Sequence, residues 1–151
     1  MLLGAKDAGV LHQTDTYFKS PSGRLKLREI ADATGQRAEL IWYERTDEAK
    51  SRKSDYIVTP IAHPAELIAS LKASMGLRGQ VIKTRHLLLW HNVRIHLDEV
   101  KNLGSFVEFE AVITDGESEE TGHQRLVDLC KALFVNQSNY QTKSYAELLG
   151  F

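Results

Sequence analysis

Hydrophobic and polar positions alternate along most of this chain, with a period of two. Residues 24–30 read RLKLREI, placing Arg24, Lys26 and Arg28 on one side and Leu25, Leu27 and Glu29 on the other. In a strand, residues two apart point to the same face. The pattern therefore predicts a strand with one charged face. Residues 11–19 (LHQTDTYFK), 38–45 (AELIWYER), 55–61 and 81–92 (VIKTRHLLLWHN) also read as strands, the last with Lys83 and Arg85 on one face. The Ser20-Pro21-Ser22-Gly23 cluster predicts a turn, residues 34–36 a loop and residues 46–54 a longer polar loop.

The period changes twice. Residues 63–76 (HPAELIASLKASMG) place Leu67, Ile68, Leu71 and Met75 on one helical stripe, with Pro64 in the first turn and Gly76 as the C-terminal cap. After an acidic turn at 115–122, Leu126, Leu129, Cys130, Leu133 and Phe134 form a second stripe. Ser144-Tyr145-Ala146-Glu147 has the spacing of a capping box. Few helices set between many strands predict an α+β domain: an antiparallel sheet or barrel with helices packed outside.

The segment 93–110, VRIHLDEVKNLGSFVEFE, narrows the chemistry. It predicts a hairpin turning at Gly104. Arg94, His96 and Asp98 share one face, and Glu108 and Glu110 share another, or the same one if the hairpin is in register. Ile95, Leu97, Val107, Phe109 and Ala111 face the opposite way. Two carboxylates side by side repel unless a cation lies between them, and a hard divalent metal is one solution. In a one-sided sheet such faces are simply solvated. Several strands share the pattern here, so a closed sheet would have an interior of mixed charge. Lys and Arg would hold phosphate oxygens there, and carboxylates a bridging metal.

Composition alters little. The 151 residues (17.0 kDa) suit one domain over 1–151, and 19 basic against 20 acidic residues give no global case for nucleic acid or a membrane surface. The lone Cys130 excludes an internal disulfide and fits a reducing compartment, so a cytoplasmic protein is expected. No apolar run approaches the roughly 18–20 residues of a membrane span. The six histidines lack zinc spacing. His96 shares the Arg94–Asp98 face and could act as a general acid or base, although structural or surface roles are the usual ones. Cys130, Trp42 and Trp90 read as core residues.

An ordered set of segments resembles the CYTH family, the triphosphate tunnel metalloenzymes, and most nearly its class IV adenylate cyclase-like branch. These are residues 12–18 (HQTDTYF), 23–29 (GRLKLRE), 40–45 (LIWYER), 83–85 (KTR), 94–98 (RIHLD), 103–110 (LGSFVEFE) and 144–149 (SYAELL). The resemblance implies an eight-stranded antiparallel β-barrel enclosing a triphosphate such as tripolyphosphate or ATP, with Mg²⁺ or Mn²⁺ as cofactor. It implies Glu108, Glu110 and Asp98 as metal ligands, Asp98 alternatively standing behind them. Lys26, Arg28, Arg45, Lys83, Arg85 and Arg94 would grip phosphate, with Lys83, Arg85 and Arg94 as the catalytic cations. Tyr145 would close the mouth. Nucleic-acid and membrane partners are not implied, and a homodimer is compatible.

The Glu-x-Glu-x-Lys strand for which the family is known does not occur before His12. Residues 1–4 resemble the end of the helix that follows that strand. An N-terminally truncated domain, short of one tunnel wall and of weak activity, is the resulting expectation. The leading function is a metal-dependent phosphohydrolase acting on inorganic or organic triphosphates. A class IV-type adenylate cyclase and a non-catalytic polyphosphate or nucleotide binder are the alternatives.

Overall fold

In a computed structural model, which describes residues 4–44, 56–112, 118–133, 135 and 140–151, each alternating run becomes a strand. The elements are β1 (Lys6–Phe18), β2 (Arg24–Asp32), β3 (Gly35–Tyr43), β4 (Tyr56–Ile61), α1 (Pro64–Met75), β5 (Leu77–Trp90), β6 (Val93–Val100), β7 (Gly104–Ala111), α2 (Glu119–Ala132) and α3 (Tyr145–Leu148). The strands form one antiparallel, barrel-like sheet in the order β4-β3-β2-β1-β5-β6-β7. Among the described residues no ladder joins β4 to β7, so these two are edges. No helix of the described residues is long and apolar enough to cross a membrane.

Three boundaries depart from the sequence reading. β1 begins at Lys6 rather than residue 11, β3 takes in Gly35 and Gln36 from the expected loop, and β5 begins at Leu77 rather than residue 81. These extensions lack alternation of their own and are held by pairing: Lys6 lies opposite Leu89, Gln36 opposite Ala31, and Phe18 opposite Leu77. Residues 1–3, the 45–55 segment, the 113–117 stretch and Phe134 fall outside the described residues, as do the readings made there.

The pleat sorts side chains as alternation predicts. On the outer face, Leu67, Ile68 and Leu71 of α1 pack on Phe18, Leu27 and Ala38. Leu126 and Leu129 of α2 cover Val93 and Ile95. Leu27 is fully buried, and Leu27→Ala is expected to cost about 2–5 kcal/mol. Cys130, expected in the core, is only half-buried.

The third cluster lies on the other, charged face. Ala146, Tyr145, Leu149 and Phe151 pack on Tyr17, Val81, Val100 and Phe106, so α3 plugs one end of that face. The capping box is complete: Ser144 Oγ accepts from the Glu147 amide, and the Ser144 amide donates to Glu147 Oε2. It fixes where Tyr145 enters the face.

Candidate functional site

Register brings the charged side chains together. On β2, Lys26 and Arg28 lie opposite Tyr17 and Asp15 of β1. On β5, Lys83 lies opposite Gln13, and Arg85 opposite Asp98 of β6. His96 lies opposite Glu108 of β7, and Arg94 opposite Glu110. The hairpin is thus in register, and both glutamates share the face of Arg94, His96 and Asp98.

Two carboxylates organise the cations. Asp15, 2% exposed, accepts from Arg28 Nε and Nη2 at 2.7 Å each and from Lys26 Nζ at 2.9 Å. Burial alone would raise its pKa, but Lys26 and Arg28 outweigh it and hold the carboxyl well below its usual range. Asp98 accepts both arms of Arg85 at 2.7 Å and the Tyr145 hydroxyl at 2.9 Å. Burial opposes its ionisation, and the Arg85 fork with nearby Lys83 reverses the balance. Arg85 Nη2 also donates to Glu108 Oε2 at 2.8 Å, bridging the cationic and acidic strands.

Lys83 is the exception. It is buried, yet its Nζ stops 3.8 Å from Asp98 and 5.1 Å from the centre of the Tyr145 ring. Burial pushes its ammonium down to about 8, and Arg85 and Arg28 act in the same direction. Opposite it, Gln13 Oε1 is buried with no hydrogen-bond partner among the described residues. An orphan of this kind costs about 1–3 kcal/mol and fits a place where a ligand or water donates.

The acidic end is more open. Glu108 and Glu110 are about half-exposed. Glu108 Oε2 lies 3.4 Å from His96 Nδ1, and Glu110 Oε2 lies 3.6 Å from His96 Nε2 and 3.5 Å from Arg94 Nη1. The His96 hydrogen bond, against burial and aided by Arg85, holds Glu108 down to about 2.

Of the residues expected at the site, the structure gathers Lys26 and Arg28 on Asp15, and Lys83, Arg85, Glu108 and Tyr145 around Asp98, as two clusters on one face. Arg94 and Glu110 pair beside them at the more exposed end, and Arg45 lies outside the described residues. Sequence reasoning missed Asp15, Gln13 and Tyr17. Their signal is spacing two within residues 12–18, masked by Thr14 and Thr16, which make the other face polar as well.

Among the described residues, no three His, Cys, Asp or Glu side chains gather to enclose a metal ion. The donor set does not fit a closed cage, and both Asp98 oxygens are engaged by Arg85. It does fit an ion carried on a phosphate chain, which needs only one or two protein carboxylates. The carboxylates open to solvent at the acidic end are Glu108 and Glu110.

A CYTH domain model matches residues 2–145. The chain belongs to the CYTH domain family. A CYTH-like fold is also found in a Pyrococcus horikoshii protein of 25% identity and TM-score 0.81, with 97% of this chain and 87% of that one aligned. A protein of Vibrio parahaemolyticus, titled as a candidate adenylate cyclase, is 22% identical at TM-score 0.75, covering 99% of this chain and 86% of that one. In Methanocaldococcus jannaschii, a protein named as a candidate adenylate cyclase is 31% identical over 68 residues, 45% of this chain and 39% of that relative. The match thus spans well under half of that curated relative. CYTH proteins bind triphosphate substrates and generally depend on a divalent metal.

Proposed function

We propose that the charged face binds a triphosphate and that the protein is a metal-dependent phosphohydrolase of inorganic or organic triphosphates. The observation carrying this reading is the pair of Lys-x-Arg strands, Lys26–Arg28 and Lys83–Arg85, aimed at one buried face. Burying four cations is unfavourable unless anions share the space. Asp15, Asp98 and Glu108, the carboxylates bonded to them, set three negative charges against four positive ones. A phosphate chain supplies the rest in charge-assisted bonds.

In this reading Arg28 and Arg85, held rigidly by their aspartates, present their remaining N–H groups to phosphoryl oxygens. Fixed donors of this kind stabilise charge spreading over the transferred group without reorganising. Lys83 contributes a proton-bearing nitrogen whose pairing with Asp98 is loose, at 3.8 Å. Gln13 can meet a phosphate or water hydroxyl. Asp98 is read as the group that positions Arg85, Lys83 and Tyr145, and Glu108 with Glu110 as the carboxylates that would hold Mg²⁺ or Mn²⁺. A bound ion would polarise the phosphoryl group and favour the attacking water. His96, between the two glutamates, is placed to orient both.

The names of the Vibrio and Methanocaldococcus relatives favour a second reading, cyclase chemistry, in which a ribose hydroxyl attacks the α-phosphate and pyrophosphate leaves. The same cation row serves either path. The test is to supply tripolyphosphate or ATP with Mg²⁺ or Mn²⁺ and to follow orthophosphate, pyrophosphate and cyclic AMP together. Orthophosphate from tripolyphosphate, abolished in Arg85→Ala, is the expected result. Cyclic AMP with equimolar pyrophosphate would replace the hydrolase reading with the cyclase one. Tight binding without any product would leave only a binding role.

A further inference from the structure

The two aspartates of the charged face receive the same arginine fork but a different further donor. Asp15 Oδ2 accepts from Arg28 Nη2 at 2.7 Å and from Lys26 Nζ at 2.9 Å. Asp98 Oδ2 accepts from Arg85 Nη2 at 2.7 Å and from the Tyr145 hydroxyl at 2.9 Å. Lys83 Nζ stops 3.8 Å from that same oxygen. A carboxylate oxygen has lone pairs for a pair of donors, so the arginine and the tyrosine fill it. Tyr145 thus stands where the first aspartate holds its lysine.

Each lysine also lies over a tyrosine ring, and the two hydroxyls are used in opposite ways. Lys26 Nζ is 5.4 Å from the centre of the Tyr17 ring and donates to the Tyr17 hydroxyl at 3.5 Å. Lys83 Nζ is 5.1 Å from the centre of the Tyr145 ring, whose hydroxyl donates to the aspartate instead. Tyr17 belongs to β1, directly opposite Lys26. Tyr145 belongs to α3, which the Ser144–Glu147 capping box and the packing of Ala146 and Leu149 hold on the face. Lys83 and Asp98 are both buried. An ammonium held off its carboxylate in such a place is unfavourable unless another anion completes it.

We propose that Tyr145 is a positioning residue: by filling Asp98 Oδ2, its hydroxyl keeps the Lys83 ammonium turned toward an anion on the charged face. That this anion is a phosphate rests on the reading given above; the exchange of hydroxyl for ammonium at Asp98 does not. Tyrosine suits the task because it satisfies the carboxylate without adding charge. Burial and the Asp98 charge hold its hydroxyl well above the ordinary tyrosine range, so the proton stays in place to donate. The ring meanwhile offers the ammonium a face to lie on.

The competing explanation is that Tyr145 only anchors α3. Tyr145→Phe separates the two, because it keeps the ring and removes the hydroxyl alone. In a crystal structure of the variant, Lys83 Nζ should close to about 3 Å from Asp98 Oδ2. In calorimetric titration its affinity for tripolyphosphate should fall about tenfold, and in a Lys83→Met background the same substitution should change affinity by less than about twofold. A Lys83–Asp98 distance that stays put in Tyr145→Phe overturns the proposal. So does an affinity that is unchanged, or one that falls equally in both backgrounds, which would make the hydroxyl an anchor of α3 or a direct contact of the ligand. If the unaltered protein binds no tripolyphosphate, the phosphate reading fails, and the crystallographic distance alone decides the role of Tyr145.

Discussion

The charged face is built twice from one pattern, and the two copies are finished differently. In each, a Lys-x-Arg strand faces an aspartate placed opposite the arginine: Lys26–Arg28 with Asp15, and Lys83–Arg85 with Asp98. Each arginine holds its carboxylate through a two-armed fork at 2.7 Å. The lysines then diverge. Lys26 completes its aspartate at 2.9 Å, whereas Lys83 stands 3.8 Å off while Tyr145 takes the corresponding oxygen. In the first copy both cations are bound directly to one aspartate, which ties β2 to β1. The second has exchanged one internal contact for a cation held ready, and it borrows a tyrosine from α3 to keep its aspartate satisfied.

The largest test of this contrast is stability. Asp15→Asn strands two buried cations and should lower unfolding free energy by about 3–5 kcal/mol in denaturant titrations. Asp98→Asn should cost clearly less, because Glu108 still accepts from Arg85. Equal losses would make the two copies energetically interchangeable.

Ligand affinity should rank the lysines in the reverse order. Lys83→Met is expected to weaken tripolyphosphate binding by about 1.5–3 kcal/mol, or roughly ten- to 150-fold. Lys26→Met should weaken it less, since Asp15 already occupies that ammonium. Calorimetry that finds Lys26→Met the more damaging would reverse the assignment of which copy is open.

Acidity sharpens the point further. Lys83 titrates near 8 in the folded chain, below the ordinary lysine value of 10.5, so between these limits the unfolded chain holds more protons and this group makes stability rise with pH. Affinity for a phosphate anion should move the opposite way, falling up to about tenfold per pH unit above 8, because only the protonated amine attracts it. Lys83→Arg, which stays charged, should flatten that fall; an unchanged slope would locate the titration elsewhere.

The smallest effect is expected at the exposed end. Glu108→Gln should change stability by about 1 kcal/mol or less, since an ion pair open to solvent is weak. Because its folded pKa near 2 lies below the ordinary 4.5, its contribution is present above 4.5 and lost as pH falls through 2. A thermal melt at pH 7 showing a loss comparable to that of Asp15→Asn would mean that Glu108 is far better shielded than its exposure indicates.

Much of this organisation was legible in the chain. Strict alternation at 24–30 and 93–110 placed Lys26, Arg28, Arg94, His96 and Asp98 on their faces, and the period change located α1 to within a residue at each end. The Ser144–Glu147 spacing identified the cap that carries Tyr145. Asp15 was not legible, because β1 packs between two strands and is polar on both sides of its pleat. Nor could spacing reveal that Asp98 is consumed by Arg85, since that depends on which residue stands opposite on a neighbouring strand.

One quiet contact lies beneath α3 at the end of this face. The Phe151 ring presses against Gly79, where an added Cβ would come within 2.5 Å of it, and the same ring packs edge-on against Tyr17. A single methyl group at position 79 would push the aromatic plug aside and, through α3, draw Tyr145 from Asp98. The fit of α3 on the charged face is thus adjustable from a backbone site that carries no charge, and Gly79→Ala is expected to loosen Tyr145 while every charged group stays in place.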